Sequence, residues 1–320
     1  MNTNPDFRTP EFGARGRRAD SLFRYATIAA GAIVLLVLGA VAFTTTKRAW
    51  PALDSMGLDF FTSDRWAPNE KFFGARSFIY GSLVASTIAV VLAIPVSIGI
   101  ALFTTQVVPA RWRRPIVYLV DLLAVVPSVV FGLWGILVFA KHVDGFYGFL
   151  HDVFGPIPVV GDLFGEGSGR GYMTAGIILA IMITPIITSL AREVIDTCPP
   201  ADREGAYALG ATRWEMIRGT VLPYSKGGLV GAVMLGLGRA MGETIAVALV
   251  IGSTANISAN LFASGDALPA RIANEWGEAE GTWRAALIGL AVTLFAVTIL
   301  VNLAATAVVN RSLAKSQGTR

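Results

Sequence analysis

Two opposite charges in a strongly apolar run could do chemistry in this chain: Arg239 and Glu243, in GLGRAMGETIAVALV over residues 236–250. Four residues apart, they can face one another across one helical turn. A charged residue such as arginine near the centre of a membrane span costs roughly 2.5–3.5 kcal/mol on insertion scales. Arg239 is too central in its segment to snorkel to either surface. Pairing lowers that cost without removing it, and apolar replacement of such pairs is often neutral or stabilising. A sequence that keeps the pair is therefore using it. The guanidinium is a planar fork of donors that suits an oxyanion, phosphate above all. Glu243 has two readings: it holds Arg239 when no anion is present, or it carries a proton that changes the local charge. Ala232, Gly236 and Ala246 share the helical face of the pair, and Gly238-x-x-x-Gly242 lies beside it. These small residues serve either close helix packing, with the ion pair as internal glue, or a polar path for substrate. The glycines do not form a dinucleotide loop, because no strand precedes them.

A second stretch with readable local chemistry is REVIDTCPPADREGAYALGATRWEMIRGTVLPYSK, residues 192–226. Pro199-Pro200 can open a helix, and Asp202 and Glu204 then complement its dipole. Gly210 is a natural residue to follow the helix end. Thr212-Arg213-Trp214-Glu215 fits a capping box and starts a second short helix, which Leu222-Pro223 is expected to end. The spacing thus predicts two short helices with a glycine-centred bend, held near the inner membrane surface. Such a knob either inserts into a groove on a partner or packs only on its own chain.

The elements that must position these residues are membrane spans. The chain has 320 residues, is 54% hydrophobic and only 15% charged, with a mean hydropathy of +0.60; soluble domains run about 25% charged. Apolar segments at 22–43, 77–103, 116–140, 172–191, 227–252 and 284–309 match the roughly 30 Å hydrocarbon thickness of a bilayer. Alternating strands of a β-barrel are absent. The expectation is an all-α polytopic membrane protein with a tail over 1–21 and one transmembrane domain over 22–320. The first span, apolar from Ala26 to Phe43, is longer than a signal-peptide core and reads as a retained anchor. With the N-terminus inside, 16 of the 26 Lys and Arg fall on inner segments and 9 on outer ones, Arg239 being the remaining one. The positive-inside rule then places both termini in the cytoplasm.

Other residues read more simply. Asp121, early in the third span, is an interfacial carboxylate with Arg111, Arg113 or Arg114 as possible partners. Pro95, Pro127 and Pro185 can kink their spans. The outer loop 45–75 holds Trp50, Phe60, Phe61, Trp66, Phe72 and Phe73, an aromatic set suited to the membrane interface. His142 and His151 are assigned to a solvated loop over 141–171, whose Gly and Pro forbid a long helix. Cys198 is alone, which excludes an intrachain disulfide and paired-cysteine metal motifs. There is no GxxxxGK[ST], HExxH or G-x-S-x-G, so neither an enzyme nor a cofactor site is expected, and no metal. No concentrated basic face for nucleic acid is visible.

EGAYALGATRWEMIRGTVLP resembles the EAA signature of ABC-importer permeases. Glu204, Ala206, Gly210, Leu222 and Pro223 fall at the family's spacing, while Gly205 and Thr220 depart from it. LGRAMGETIAVALVIG resembles the fifth-span motif of phosphate ABC-transporter permeases of the Pst system, in the form of their PstC-type subunits. The resemblance runs from the first span to the last. It implies a type I (MetI-like) importer architecture of six spans in the bacterial cytoplasmic membrane. It also implies that the chain is a transport subunit for inorganic phosphate, with ATP hydrolysis on a separate subunit. The partners implied are a PstA-type second permease, a PstB-type ATPase dimer and an extracytoplasmic PstS-type phosphate-binding protein. Arg239 and Glu243 would lie on the substrate path, and Glu204, Ala206, Gly210, Trp214, Leu222 and Pro223 would couple to the ATPase. Another oxyanion (sulfate, molybdate or a phosphonate) is the alternative cargo. A stand-alone secondary anion transporter is the alternative class.

Overall fold

The computed structural model describes residues 14–158 and 160–317, so the tail before residue 14 and Arg320 lie outside the described residues. Six described helices are long and apolar enough to cross a membrane: Asp20–Met56, Arg76–Val107, Ser128–Phe154, Tyr172–Asp196, Arg213–Met241 and Gly281–Ala307. Two compact units are distinguished. The first ends at Arg48 and contains the N-terminal part of helix α1 (Ala14–Met56), which begins inside the expected tail and exposes Leu22, Ile33 and Phe43.

The second unit starts at Ala49. After the end of α1 come α2 (Asp59–Thr62) and a short antiparallel hairpin of β1 (Trp66–Ala67) and β2 (Phe72–Phe73), with Trp66 opposite Phe73. Phe60 and Phe73 are fully buried, in one cluster with Phe78, Leu287 and Leu290. These two rings are therefore core, not the interface girdle expected from composition. Three bonds that converge on Glu275 close this region, one of them from a residue 209 positions away. The indole N–H groups of Trp66 and Trp283 each donate to Glu275 Oε2 at 2.9 Å, and Arg271 donates to Glu275 Oε1 at 2.6 Å.

Helix α3 (Arg76–Leu102) ends in a π-turn over Phe103–Val107. It packs along α7 (Tyr172–Asp196) through small residues. Ala85, Ala89 and Ala93 are buried, and a Cβ on Gly176 would lie 2.4 Å from Ile88. Close backbone approach is how spans gain van der Waals contact when lipid is as apolar as they are. Ser97 Oγ adds a bond to the Thr184 carbonyl at 3.2 Å.

The expected third span, 116–140, is divided between two helices. Val126 is extended before Pro127 (φ −62°, ψ 126°), as a residue preceding proline prefers, and it separates α4 (Ala110–Val125) from α5 (Ser128–Trp134). Pro127 thus breaks the expected 116–140 helix outright. The α4 helix lies on the C-terminal part of α7, where Arg113 pairs with Asp196. The partner of Asp121 is Arg192 at 3.9 Å, a cation of α7 and none of the expected arginines. By Ala140 the chain has reached Gly169, at the approach to the other end of α7. A π-turn over Gly135–Phe139 leads into α6 (Ala140–Phe154). His142 and His151 are therefore on a helix and not in a loop. Each ring Nδ1 bonds a carbonyl, of Val138 at 2.8 Å and of Phe164 at 2.7 Å.

Past α7 the chain forms α8 (Pro200–Ala208), α9 (Arg213–Met216), α10 (Leu222–Met241), α11 (Ile245–Val250), α12 (Leu268–Glu275) and α13 (Gly281–Gln317). Leu222-Pro223 does not end the helix begun at Arg213. A π-turn over Ile217–Val221 joins α9 to α10, and Pro223 sits in the first turn of α10, where its missing N–H is tolerated.

Candidate functional site: a broken span and an interhelical knob

The fifth span is interrupted between its two charges. Helix α10 ends at Met241 with Gly242 as its cap, and α11 restarts at Ile245. Arg239 is in the last turn of α10, and Glu243 is in the break. They are still four residues apart in sequence, but no continuous helix joins them, which corrects the expectation of one turn. Side chains replace lost backbone bonds. Ala246 N–H donates to Glu243 Oε1 at 3.4 Å, and Thr244 Oγ1 donates to the Gly242 carbonyl at 3.3 Å. Short polar side chains compete with helical bonds in this way, and glycine makes the interruption about 1 kcal/mol cheaper than alanine would. The GET tripeptide is thus a local signal of the break that periodicity alone passes over.

Depth follows from the packing of α10 on α7. A Cβ on Gly228 would meet Val194 at 2.5 Å, and one on Gly236 would meet Ile187 at 2.7 Å with Ile183 beyond. Ile183 and Ile187 flank the middle of the 25-residue α7. Arg239, one turn past Gly236, is roughly 5 Å further along. The charge pair therefore lies near the middle of the helical layer. The Arg239 side chain is 53% exposed and the Glu243 side chain 6%, with Nη2 to Oε2 at 3.8 Å. The carboxylate is committed to the fold, while the guanidinium fork is open to approach. The α11 segment is held against α5 by glycine: a Cβ on Gly132 would lie 2.8 Å from Ala246 Cα.

The knob forms as its local chemistry dictates. Pro200 opens α8. Gly210 has φ +85°, and Gly210 N–H donates to Tyr207 O while Ala211 N–H donates to Ala206 O, at 2.9 and 3.1 Å. That paired arrangement closes a helix on a left-handed residue and favours glycine. Thr212 and Glu215 form the reciprocal capping box, with Thr212 N–H to Glu215 Oε2 at 2.8 Å. The predicted functional positions divide. Ala206 and Leu222 pack on the buried cluster of Ala191, Ile195 and Val221. Glu204, Trp214 and Pro223 are exposed, as are Tyr207 and Leu209, the latter 91%. Sequence reading missed Arg203, which donates to the Ile195 carbonyl at 2.7 Å and ties α8 to the end of α7. It also missed Leu209, the most exposed apolar side chain of the knob.

At the opposite end of α7, the 252–280 connection carries a fully buried Asp266. Its carboxyl bonds Ala267 N–H at 2.8 Å and pairs with Arg271 Nε at 2.9 Å. Burial pushes its pKa up to about 6, opposed by the Arg271 charge and the Ala267 N–H. The Arg271 guanidinium also lies over the Phe78 ring. This network was not foreseen, because Asp266, Arg271 and Glu275 belong to no apolar segment, and the rings they meet come from α3 (Phe78 on Arg271), β1 and α13 (Trp66 and Trp283 on Glu275).

Comparison with known proteins agrees with this architecture. Residues 93–314 match the family model of binding-protein-dependent transport system inner membrane components. The phosphate transport system permease protein PstC of Xylella fastidiosa (strain Temecula1) is 44% identical over 289 residues, 90% of this chain and 89% of that protein. PstC of Mesorhizobium japonicum is 43% identical over 285 residues, covering 88% and 87%. Among solved structures, an inward-facing form of the MetNI methionine ABC transporter superposes with a TM-score of 0.53 at 18% identity, over 74% of this chain and 94% of that one. At that identity the likeness shows the fold, a MetI-like permease. The family model and the extent of the PstC matches together establish that the chain belongs to the binding-protein-dependent transport system inner membrane components, among the PstC-type permeases.

Proposed function

We propose that this chain is a permease subunit of an ATP-driven importer of inorganic phosphate in the bacterial cytoplasmic membrane, with both termini in the cytoplasm. The observation that carries the reading is the open guanidinium of Arg239 at mid-depth, beside an interrupted helix. Irregular backbone at membrane depth is tolerated where it lines a cavity or is buried in protein, and transporters place substrate sites at such breaks. Relatives named as phosphate transport permeases support phosphate as the cargo. Arg239 would offer its donor fork to an anion delivered by a PstS-type binding protein. Glu243 holds the break and stands close enough to receive the guanidinium once the anion leaves.

With no phosphate-binding loop in the sequence, ATP hydrolysis would reside on another chain. A PstB-type ATPase dimer would grip the knob, with Glu204, Tyr207, Leu209 and Trp214 as the exposed contacts and Gly210 setting their angle. Arg203 and the α7 carbonyl it holds would pass the motion to the spans, against a PstA-type second permease. No covalent step occurs on this chain. Reconstitution with those three partners tests the proposal. Phosphate import should require ATP and the binding protein, sulfate and molybdate should not compete, and Glu204→Arg should leave ATP hydrolysis running without import. Import without an ATPase would make the chain a stand-alone transporter, and strong competition by sulfate would change the cargo.

A further inference from the structure

On the side of α10 away from Arg239, a groove of about 690 Å³ opens between α10 and α3. Val230, in its lining, precedes Arg239 by nine residues, which is two and a half helical turns and so the opposite face. The groove is therefore separate from the charge pair. Its walls are apolar: Ile94 and Ile98 from α3, Leu229 and Val233 from α10. Its end nearest the knob is cationic, lined by Arg218 and Lys226. Arg218 takes part in no ion pair among the described residues.

We infer that this groove binds an anionic phospholipid of the knob-side leaflet, one acyl chain along α3 and α10 and its phosphate on Arg218 and Lys226. Three features select that occupant. From Lys226 to Met234 the α10 wall runs eight residues, about 12 Å, close to the roughly 15 Å of one leaflet's hydrocarbon. The cations stand at one end only, as a headgroup above a chain requires. A free anion would find no donors along the aliphatic walls, whereas an amphiphile satisfies both parts of the groove. Basic pockets between spans on the cytoplasmic side suit anionic headgroups. The inference rests on the orientation proposed above, which puts the knob in the cytoplasm. Leu222 and Pro223 also line the groove, so the lipid would brace the junction between knob and span.

The test uses the whole complex, extracted from bilayers of phosphatidylglycerol and phosphatidylcholine with matched chains, with retained lipid measured by native mass spectrometry. Phosphatidylglycerol should be retained selectively. Retention should fall about fivefold for Arg218→Ala or Lys226→Ala and about thirtyfold for both together. Val230→Trp should lower it too, by filling the groove with both cations in place. Equal retention of the two lipids, or an unchanged double variant, overturns the site. A Val230→Cys crosslink to the partner permease would show a protein helix in the groove and overturn it as well. Displacement by excess inorganic phosphate combined with full retention in Val230→Trp would assign the cations to a free anion instead. Phosphate import measured on the same samples keeps the two readings apart, since its loss would leave lipid retention untouched.

Discussion

Replacing Arg239 by alanine separates its structural part from its functional one. Its side chain is 53% exposed and its guanidinium is 3.8 Å from the Glu243 carboxylate, so the pair, partly screened, contributes about 0–1 kcal/mol to stability. Glu243 is left buried, but it retains the Ala246 N–H. The complex should therefore assemble. Transport loses more. A bidentate grip on an anion is two charge-assisted hydrogen bonds at about 1.5–3 kcal/mol each, or about 3–6 kcal/mol together. At 1.4 kcal/mol per decade, uptake should fall by roughly a hundredfold or more. Arg239→Lys keeps the charge and loses the fork, so one bond is forfeited and the loss is about tenfold. The assay is radiolabelled phosphate uptake by cells lacking other phosphate importers, at matched membrane levels, with copurification of the partner subunits as the control for assembly. Uptake within twofold of the parent in an assembled Arg239→Ala complex would remove Arg239 from the substrate path and refute the reasoning.

Four further outcomes are expected. Glu243→Gln keeps an acceptor for the Ala246 N–H and should retain most uptake; complete loss in that variant would favour a proton-carrying Glu243. Gly210→Ala meets no atom within 4 Å but imposes φ +85° on a residue with a Cβ. It should strain the knob by about 1–2 kcal/mol and lower import per ATP hydrolysed, with thermal stability of the spans unchanged. Gly81→Ala would put a Cβ 1.8 Å from the Asp266 carbonyl; backbone on both sides cannot yield, and a loss of about 3 kcal/mol should appear as a lower melting temperature and poor membrane accumulation. Asp266, with its pKa raised to about 6 by burial, binds its proton more tightly folded than unfolded. Its contribution is present at about pH 4 and is lost as pH rises through about 6, so the melting temperature should fall across that window, and Asp266→Asn should flatten the profile.

Local chemistry made the knob legible residue by residue. Pro200, Gly210 and the Thr212/Glu215 box act within four residues of themselves, and each forms as expected. Six long apolar stretches were equally legible, because burial of a backbone in lipid demands helices of that length. Boundaries were less so. The Leu222-Pro223 helix stop failed because Pro223 falls in the first turn of α10, where its missing N–H is tolerated, and the expected 116–140 span broke because Pro127 forces its predecessor out of the helical region.

By itself the sequence determined the class of protein, the helix-forming segments, the shape of the knob and the presence of two charges too costly to be accidental. Only the tertiary structure decided what those charges face. The interruption at Gly242–Thr244 depends on Glu243 and Thr244 turning back onto neighbouring backbone, and the 132–135 glycines must admit α11 for it to persist. That geometry splits the pair, with Glu243 buried in the fold and Arg239 open. The buried Phe60 and Phe73, and the Trp66–Glu275 bond spanning 209 residues, were likewise decided by packing. Periodicity reports which residues leave water; it carries no information on which distant partner they meet.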